Sequence, residues 1–309
     1  MSNKMKGTIV LLITAIVWGS GFIAQKLGGE AMPPMTFNAT RQLMAAIVLT
    51  PLAVFSVRSN GYFSKEKNTP EQITAKVKMM IAAAVVCGGF LVFATDLQQV
   101  GLQTVSAGKS GFISVTYVVL VPLVAALFGD KAGKKAVMCA FLALFGFAVM
   151  SLRFDGGMTK GDWLTLISAL GCAAQILAVN HYVDKDNAIF LAVLQSAACG
   201  IFGLVIGVLV EAPTLASFHN ALPILLYTTF VPTCIGYPGQ VIGQKYTDSN
   251  TAALILSLEA VFAAIFGALI LGETMSMREL AGSVIIFVAV IIAQLETKPK
   301  DIGGSEADQ

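Results

Sequence analysis

Ten long apolar segments, separated by short polar stretches, follow one another along almost the whole chain of 309 residues. A helix needs roughly 20 residues to cross the hydrocarbon core of a bilayer, and most of these segments are close to that length. Strands of a membrane barrel would instead alternate polar and apolar residues over about ten positions. The pattern therefore predicts an all-α integral membrane protein with ten transmembrane helices. The segments are residues 7–27, 35–55, 79–100, 106–128, 136–152, 161–183, 188–210, 221–244, 250–271 and 281–295.

The composition excludes most other classes of protein. Hydrophobic residues make up 56% of the chain and charged residues only 12%, whereas soluble domains carry roughly 25% charged residues. A net charge of +2, with the basic residues scattered, argues against a nucleic-acid partner. All five cysteines fall inside apolar segments, without the spacing of a metal site or a disulfide framework. We therefore expect no metal ion and no cofactor.

The basic residues predict how the chain is oriented. With the N-terminus inside the cell, 14 of the 20 lysine and arginine residues lie on the cytoplasmic side and 4 on the outer side, while Arg41 and Lys109 fall within crossings. The positive-inside rule favours this arrangement. We therefore expect a multi-pass protein of the cell (plasma or inner) membrane with both termini in the cytoplasm.

The two halves of the chain resemble each other. A shift of 143 positions aligns the fourth segment with the ninth and Ser114 with Ser257, and a shift of 154 aligns the first segment with the sixth. Five crossings per half is an odd number, so the second copy enters the membrane from the opposite side. This predicts an inverted repeat, as in many secondary transporters, with repeats at 1–155 and 156–296 and a cytoplasmic tail at 297–309. Chance similarity between apolar segments is the alternative.

Several short stretches resemble one family. They are residues 16–22 (IVWGSGF), 106–113 (SAGKSGFI), 117–123 (YVVLVPL) and 257–264 (SLEAVFAA), followed by Gly272 and Glu273. In this order they resemble the EamA-type ten-helix members of the drug/metabolite transporter superfamily. The resemblance implies two five-helix halves around a central cavity, peripheral fifth and tenth helices, and movement of small metabolites, often by export. Ala260 departs from the proline common in the family, which puts a local helix break there in doubt.

Polar residues in the first and eighth crossings suggest substrate contacts. Pro232, Gly236 and Pro238 lie in the middle of the eighth crossing and free backbone groups that lipid does not satisfy, so this stretch should face protein or a water-filled cavity. From it we select Tyr227, Thr233 and Tyr237. In the first crossing, Trp18 and Ser20 place an aromatic ring beside a glycine-weakened helix. The alternatives are a kinked packing helix for the eighth crossing and close helix packing for the first.

Charged residues within the crossings are further candidates. Asn38 and Arg41 share one face of the second crossing, and Arg41 lies about 10 Å deep, where it should point inward or else snorkel to the outer interface. Asp96 and Lys109 lie at similar depths on consecutive antiparallel crossings, which predicts an ion pair between them. The alternative is that each contacts substrate directly.

Glu259 is placed near the membrane midplane by its distance from the preceding turn, about 19 Å. A carboxylate there is costly when charged, which suits a group that contacts a substrate amine or that binds and releases a proton as the coupling site. The alternative is a neutral glutamic acid that only holds helices together. Gln99, Tyr117 and Gln175 complete the predicted substrate-binding set.

These features predict a secondary transporter rather than an enzyme. We expect it to move a small polar metabolite, such as an amino acid, by alternating access, in the direction of export and with possible proton coupling. The alternative is an integral-membrane enzyme acting on a lipid-linked substrate, but such enzymes carry catalytic carboxylates at fixed spacing, which this sequence lacks. The expected partners are the small-molecule substrate and the bilayer; the oligomeric state is left open.

Overall fold

The computed structural model describes residues 3–127, 133–152, 157–183, 187–247 and 249–294, so the predicted repeat boundary at 155 and the tail at 297–309 lie outside the described residues. Within these ranges the chain forms thirteen α-helices and one π-helical segment. The helices are α1 (Asn3–Ala31), α2 (Pro34–Ser59), α3 (Pro70–Gly101), α4 (Ala107–Ser114), α5 (Tyr117–Ala126), α6 (Lys134–Ser151), α7 (Lys160–Tyr182), α8 (Ala188–Val210), α9 (Leu215–Thr228), the π segment (Thr229–Thr233), α10 (Gly236–Gln244), α11 (Ser249–Leu256), α12 (Glu259–Leu271) and α13 (Met277–Gln294).

The prediction of an all-α membrane protein with ten crossings is confirmed in the described part of the chain. Three crossings are interrupted: the fourth is α4 with α5, the eighth is α9 with the π segment and α10, and the ninth is α11 with α12. Eight crossings are long and apolar enough to span a bilayer, and the fifth, α6, is a shorter apolar helix. We call the end of the bundle at which α1 begins the proximal end, and the opposite end the distal end.

Helix α3 begins nine residues before the predicted start of the third crossing. Thr69 caps it, because the Thr69 hydroxyl accepts from the Gln72 backbone N–H and the Gln72 side chain accepts from the Thr69 backbone N–H. Pro70 occupies the first turn, where its missing N–H costs nothing. Hydropathy places only the apolar part of the helix, and the capping box extends the helix into the polar stretch before it.

The broken fourth and ninth crossings pack against each other, α4 against α12 and α5 against α11. The ninth breaks at Ser257 and Leu258 although position 260 is alanine, so proline is not needed for the break. The Ser257 hydroxyl donates to the Leu254 carbonyl, and the next turn uses tighter i→i−3 bonds from Ala260 and Val261. This antiparallel pairing is the arrangement an inverted repeat predicts; the repeat itself stays a prediction.

Helices α6 and α13 pair with each other beside the fourth crossing. They approach closely at Gly146 and Gly282, where an added Cβ atom at Gly282 would lie 2.6 Å from the Gly146 carbonyl oxygen. Phe141 and Phe145 on the opposite side of α6 are exposed, as suits a lipid-facing surface. The cavity described next is lined by other helices, so α6 and α13 lie at the periphery of the bundle.

Candidate functional site

A cavity lies inside the bundle, bounded by α1, α2, α3, α5, α7, the π segment, α10 and α12. Six residues of the predicted substrate-binding set line it: Trp18, Arg41, Tyr117, Gln175, Tyr237 and Glu259. Four polar residues that the prediction omitted also line it: Gln25, Thr95, Gln98 and Gln240. Gln25 lies seven positions after Trp18 and therefore on the same face of α1, a spacing visible in the sequence.

Arg41 points into the bundle and is only 2% exposed, so the snorkelling alternative is wrong. Its two terminal nitrogens donate to the Thr233 hydroxyl and to the Gln25 side-chain oxygen, each at 3.1 Å. No carboxylate in the described part of the chain lies within ion-pair distance of it. Both hydrogen-bond acceptors are neutral groups, so neither hydrogen bond neutralises the positive charge of the guanidinium at the cavity wall.

An aromatic wall is fixed by the eighth crossing. Trp18 and Tyr237 meet edge to face, with ring centroids 5.4 Å apart. The Trp18 indole N–H donates to the Pro232 carbonyl at 3.0 Å. Gly236 leaves room for the indole, since a Cβ atom there would overlap it. The π segment thus supplies the acceptor that orients the Trp18 ring.

In the same segment, a side-chain hydroxyl forms a hydrogen bond with a backbone carbonyl group. Pro232 has no N–H to donate to the Thr228 carbonyl, and the Thr233 hydroxyl donates to that carbonyl instead, at 2.7 Å. Thr233 therefore links two groups, because it also accepts from Arg41. The predicted substrate-binding residue Thr233 thus lies beside Arg41.

Glu259 is the first residue of α12 and is buried against the cavity. The break in the ninth crossing places its carboxyl group at the start of α12, where the helix dipole favours negative charge although the Ala260 and Val261 N–H groups are bonded across the break. Tyr117 of α5 approaches it with its hydroxyl group. No lysine or arginine among the described residues forms an ion pair with it. Among the described lining residues it is the single carboxylate.

Glutamine side chains form a second polar wall. The Gln175 amide donates to Gln195 at 2.9 Å, and the Gln240 amide donates to Gln175 at 3.0 Å. Gln195 is fully buried behind the other two and holds Gln175 from α8. The wall offers both donors and acceptors to a bound molecule.

The predicted ion pair between Asp96 and Lys109 is wrong. Lys109 instead pairs with Asp162, its nitrogen 2.8 Å from the Asp162 carboxylate. Helix α4 packs mainly against α12, α7 and α13 and little against α3, so Lys109 faces the first turn of α7. Asp162 also forms a capping box with Thr159. Lys109 therefore faces a different helix from the one that the sequence predicted.

Other predicted residues lie beside the cavity rather than in it. The Asn38 amide donates to Asp96 and to Thr95 in a buried contact between α2 and α3. The Gln99 amide donates to the Gln25 carbonyl at 2.7 Å. These contacts position α1, α2 and α3 around Arg41.

Ser20 and Tyr227 face away from the cavity. The Tyr227 hydroxyl donates to the Ser20 hydroxyl at 2.8 Å, and Tyr227 is 41% exposed. The pair links α1 to α9 at the surface of the bundle. The structure therefore gives these two predicted residues a contact between helices, outside the cavity.

The distal end is closed above the cavity by two carboxylates. Glu273 forms an ion pair with Lys26 at 2.7 Å and accepts from the Ala107 backbone N–H at the start of α4. Glu211 accepts from the Met35 and Thr36 backbone N–H groups at the start of α2. Each carboxylate comes from the second half of the chain and caps a helix of the first half.

Toward the proximal end a groove runs along α3, α5 and α7. Val86 and Phe90 of α3 line it, opposite Leu177 and Tyr182 of α7. Positions 86, 90, 94 and 98 share one face of α3, and the last two of these line the central cavity. The distal end thus carries an ion pair and two carboxylate caps, whereas an apolar groove lies toward the proximal end.

Known proteins resemble this chain over its whole length. The model of the EamA-like transporter family matches residues 5–152 and 159–294. A protein of Archaeoglobus fulgidus named an uncharacterized transporter is 33% identical over 95% of this chain and 87% of its own. A probable amino-acid metabolite efflux pump of Escherichia coli is 24% identical, over 93% and 94%. One crystal structure superposes with a TM-score of 0.63 at 15% identity, covering 94% and 96% of the two chains, which supports the fold alone.

Proposed function

The chain belongs to the EamA-like transporter family, and from this membership and the cavity we propose that it exports a small zwitterionic metabolite, an amino acid or a close derivative, by alternating access. It is a multi-pass membrane protein, and its family and relatives are transporters rather than enzymes. The substrate, direction and mechanism are the proposal.

One observation carries the substrate class: a single cavity holds the buried guanidinium of Arg41 and the buried carboxylate of Glu259, neither of which forms an ion pair among the described residues, although the Asp96 carboxylate lies near enough to Arg41 to interact with it electrostatically. Arg41 has only neutral acceptors, and Glu259 has no cation. An isolated charge in a low-dielectric interior is costly, and a ligand carrying the opposite charge offsets that cost. A carboxylate at Arg41 and an ammonium group at Glu259 together describe an amino acid. The E. coli relative's name is consistent with this class.

The aromatic wall supports a ligand with an apolar part. Trp18 and Tyr237 form a fixed surface within the same cavity as the two charges. A rigid aromatic face contributes contact area without losing side-chain freedom on binding. We expect amino acids with apolar side chains to be preferred over those with a second charge.

Glu259 supplies a simple route to proton exchange. Its carboxylate can hold the substrate ammonium group or a proton, but not both. If the two compete for one group, inward movement of a proton accompanies outward movement of the substrate. The buried position at the start of α12 supports this role, because it leaves the group accessible only through the cavity.

The closed distal end supports an assignment of states. Lys26 and Glu273 hold α1, the end of α12 and the start of α4 together. If the termini are cytoplasmic, the described conformation is closed to the outside and takes up substrate from the cytoplasm. The opposite state requires these contacts to separate.

The test is counterflow in proteoliposomes with labelled amino acids, dicarboxylates and sugars. We expect exchange of apolar amino acids, loss of exchange in Arg41→Gln, and unchanged exchange in the matched control Glu279→Gln, which removes a half-buried distal carboxylate outside the cavity. Exchange of dicarboxylates or sugars without amino acids would overturn the substrate class. Loss of exchange in the control as great as in Arg41→Gln would overturn the role of Arg41.

A further inference from the structure

Two neighbouring depressions at the proximal end share the side chain of Phe63. The first is a wholly apolar groove between α3 and α8, whose walls include Val77, Ile81, Ala84 and Leu194. The second is lined by Arg58, Val57, Gly61 and Ser64 at the end of α2 and in the following loop. We call the two together the Phe63 site.

The apolar groove opens on the outer surface of the bundle. Val77, Ile81 and Val85 are between 43% and 60% exposed, although all three are large hydrophobic residues. Phe63 stands against Phe190 of α8, edge to face, at the end of the groove. A surface of this composition faces the acyl chains of the bilayer rather than water.

The loop that carries the polar half of the site has a defined conformation, because side-chain hydrogen bonds connect its parts. The Asn68 amide donates to the carbonyl oxygens of Tyr62 and Ser64. Lys76 donates to the Tyr62 carbonyl and to the Asn68 side chain, and its nitrogen lies 4.4 Å from the centre of the Tyr62 ring. These bonds hold Arg58, Gly61 and Phe63 in a fixed relation to the start of α3.

The charge of this region is positive. Residues 56–78 contain five basic side chains (Arg58, Lys65, Lys67, Lys76 and Lys78) and two acidic ones (Glu66 and Glu71), a net +3. The exposed Arg58 guanidinium makes no ion pair and no hydrogen bond within the described part of the chain. A guanidinium matches the geometry of a phosphate group, which it binds through two parallel hydrogen bonds.

We propose that the Phe63 site binds one anionic phospholipid of the adjacent leaflet, with an acyl chain in the α3–α8 groove and the phosphate at Arg58. The apolar groove alone fits any lipid tail, and the basic loop alone attracts any anion. Only a molecule with a long apolar chain directly joined to an anionic headgroup matches both halves. The site lies on the outside of the bundle, away from the central cavity, and its occupation is independent of the transported substrate.

The test is native mass spectrometry of the purified full-length protein, titrated with phosphatidylglycerol and phosphatidylcholine of identical acyl chains. We expect one tightly retained phosphatidylglycerol, preferred over phosphatidylcholine by about fivefold, the effect of one basic residue near a membrane surface. Arg58→Gln should reduce that preference to nearly none. The matched control Lys6→Gln, which removes an exposed positive charge of the same end but away from the groove, should keep it.

Filling the groove tests the apolar half. Ala84→Phe should lower retention of both lipids several-fold, and Ile81→Trp on the exposed rim of the groove serves if the first variant does not fold. Equal retention of the two lipids by the wild-type protein, or an equal loss in Arg58→Gln and Lys6→Gln, would overturn the proposal in favour of diffuse attraction. Retention unchanged when the groove is filled would also overturn it. Because no transport is measured, failure here leaves the proposed export activity untouched.

Discussion

Glu259 and Arg41 are the two residues whose surroundings best distinguish a substrate-binding role from a purely structural role. Both are buried, both line the central cavity, and neither forms an ion pair in the described part of the chain. A residue that only held helices together would be expected to have its charge matched within the protein. The two therefore give the sharpest tests at the scale of single side chains.

Glu259→Gln keeps the size and hydrogen bonding of the side chain but abolishes its titration. We expect amino-acid counterflow to persist with about tenfold weaker apparent affinity, because a neutral hydrogen bond replaces a charged one. We expect accumulation driven by a pH gradient to disappear. Both are measured in proteoliposomes with and without an imposed gradient. Wild-type accumulation with an unchanged pH profile in Glu259→Gln would end the coupling role.

Lys109→Gln tests the buried ion pair. It leaves the Asp162 carboxylate buried without its cation, and removing one partner of such a pair costs about 3–5 kcal/mol. We expect a clear drop in the thermal midpoint measured in detergent. The double variant Lys109→Gln/Asp162→Asn should recover part of the loss, since asparagine keeps the cap on α7. A double variant no more stable than Lys109→Gln alone contradicts the pair.

The sequence predicts a depth for each of these charged residues, because position along an apolar segment converts into height in the membrane. It did not place them around the helix axis. Lys109 pairs with Asp162 rather than Asp96 because α4 packs against α7 more than against α3. Hydropathy does not predict which helices pack together. Ser20 and Tyr227 were predicted to contact the substrate, because the sequence does not show which side of a helix faces the cavity. In the structure they contact each other outside it.

At the scale of elements, the interruptions of the crossings produce the site. The π segment of the eighth crossing frees the Pro232 carbonyl for Trp18, and the break in the ninth places Glu259 at a helix start. The first was predictable, since Pro232, Gly236 and Pro238 lie in the middle of the eighth crossing. The second was not, because Ala260 carries no breaking signal and the interruption depends on Ser257 and on packing against α4.

The distal closure makes a testable prediction about movement. Glu273→Gln removes the charge that binds Lys26 and caps α4, a partly exposed pair worth about 1 kcal/mol. We expect the outward-open population to rise about fivefold. A single cysteine at Gln98 in the cavity, in a background without native cysteines, should then react faster with an impermeant thiol reagent applied from the distal side.

The control for that measurement is Glu279→Gln, which removes a distal carboxylate that caps only its own helix through Ser276. Its labelling rate should equal that of the unmodified background. Equal rates in Glu273→Gln and in the background would show that the ion pair does not restrain the closed state.

At the scale of the whole molecule, the crossing count and the peripheral fifth and tenth helices could be predicted because they depend on hydrophobicity alone. The division into two inverted halves stays a prediction, supported by the mutual packing of α4 with α12 and of α5 with α11. The cavity itself required the structure, since it is assembled from helices far apart in sequence. Trp18 and Pro232, 214 positions apart, are in contact there.

The 14 to 4 distribution of basic residues predicts the orientation of the bundle, with both termini in the cytoplasm. Asn60 is exposed at the proximal end of α2, and Ala216 is exposed at the distal start of α9, outside the capping box that Thr214 forms with Ser217. Single cysteines at these two positions should therefore label from opposite sides of the membrane. In intact cells an impermeant reagent should modify the cysteine at 216 and spare that at 60 until the membrane is permeabilised. The reverse pattern would place the closed distal end in the cytoplasm, and the same cavity would then load from outside.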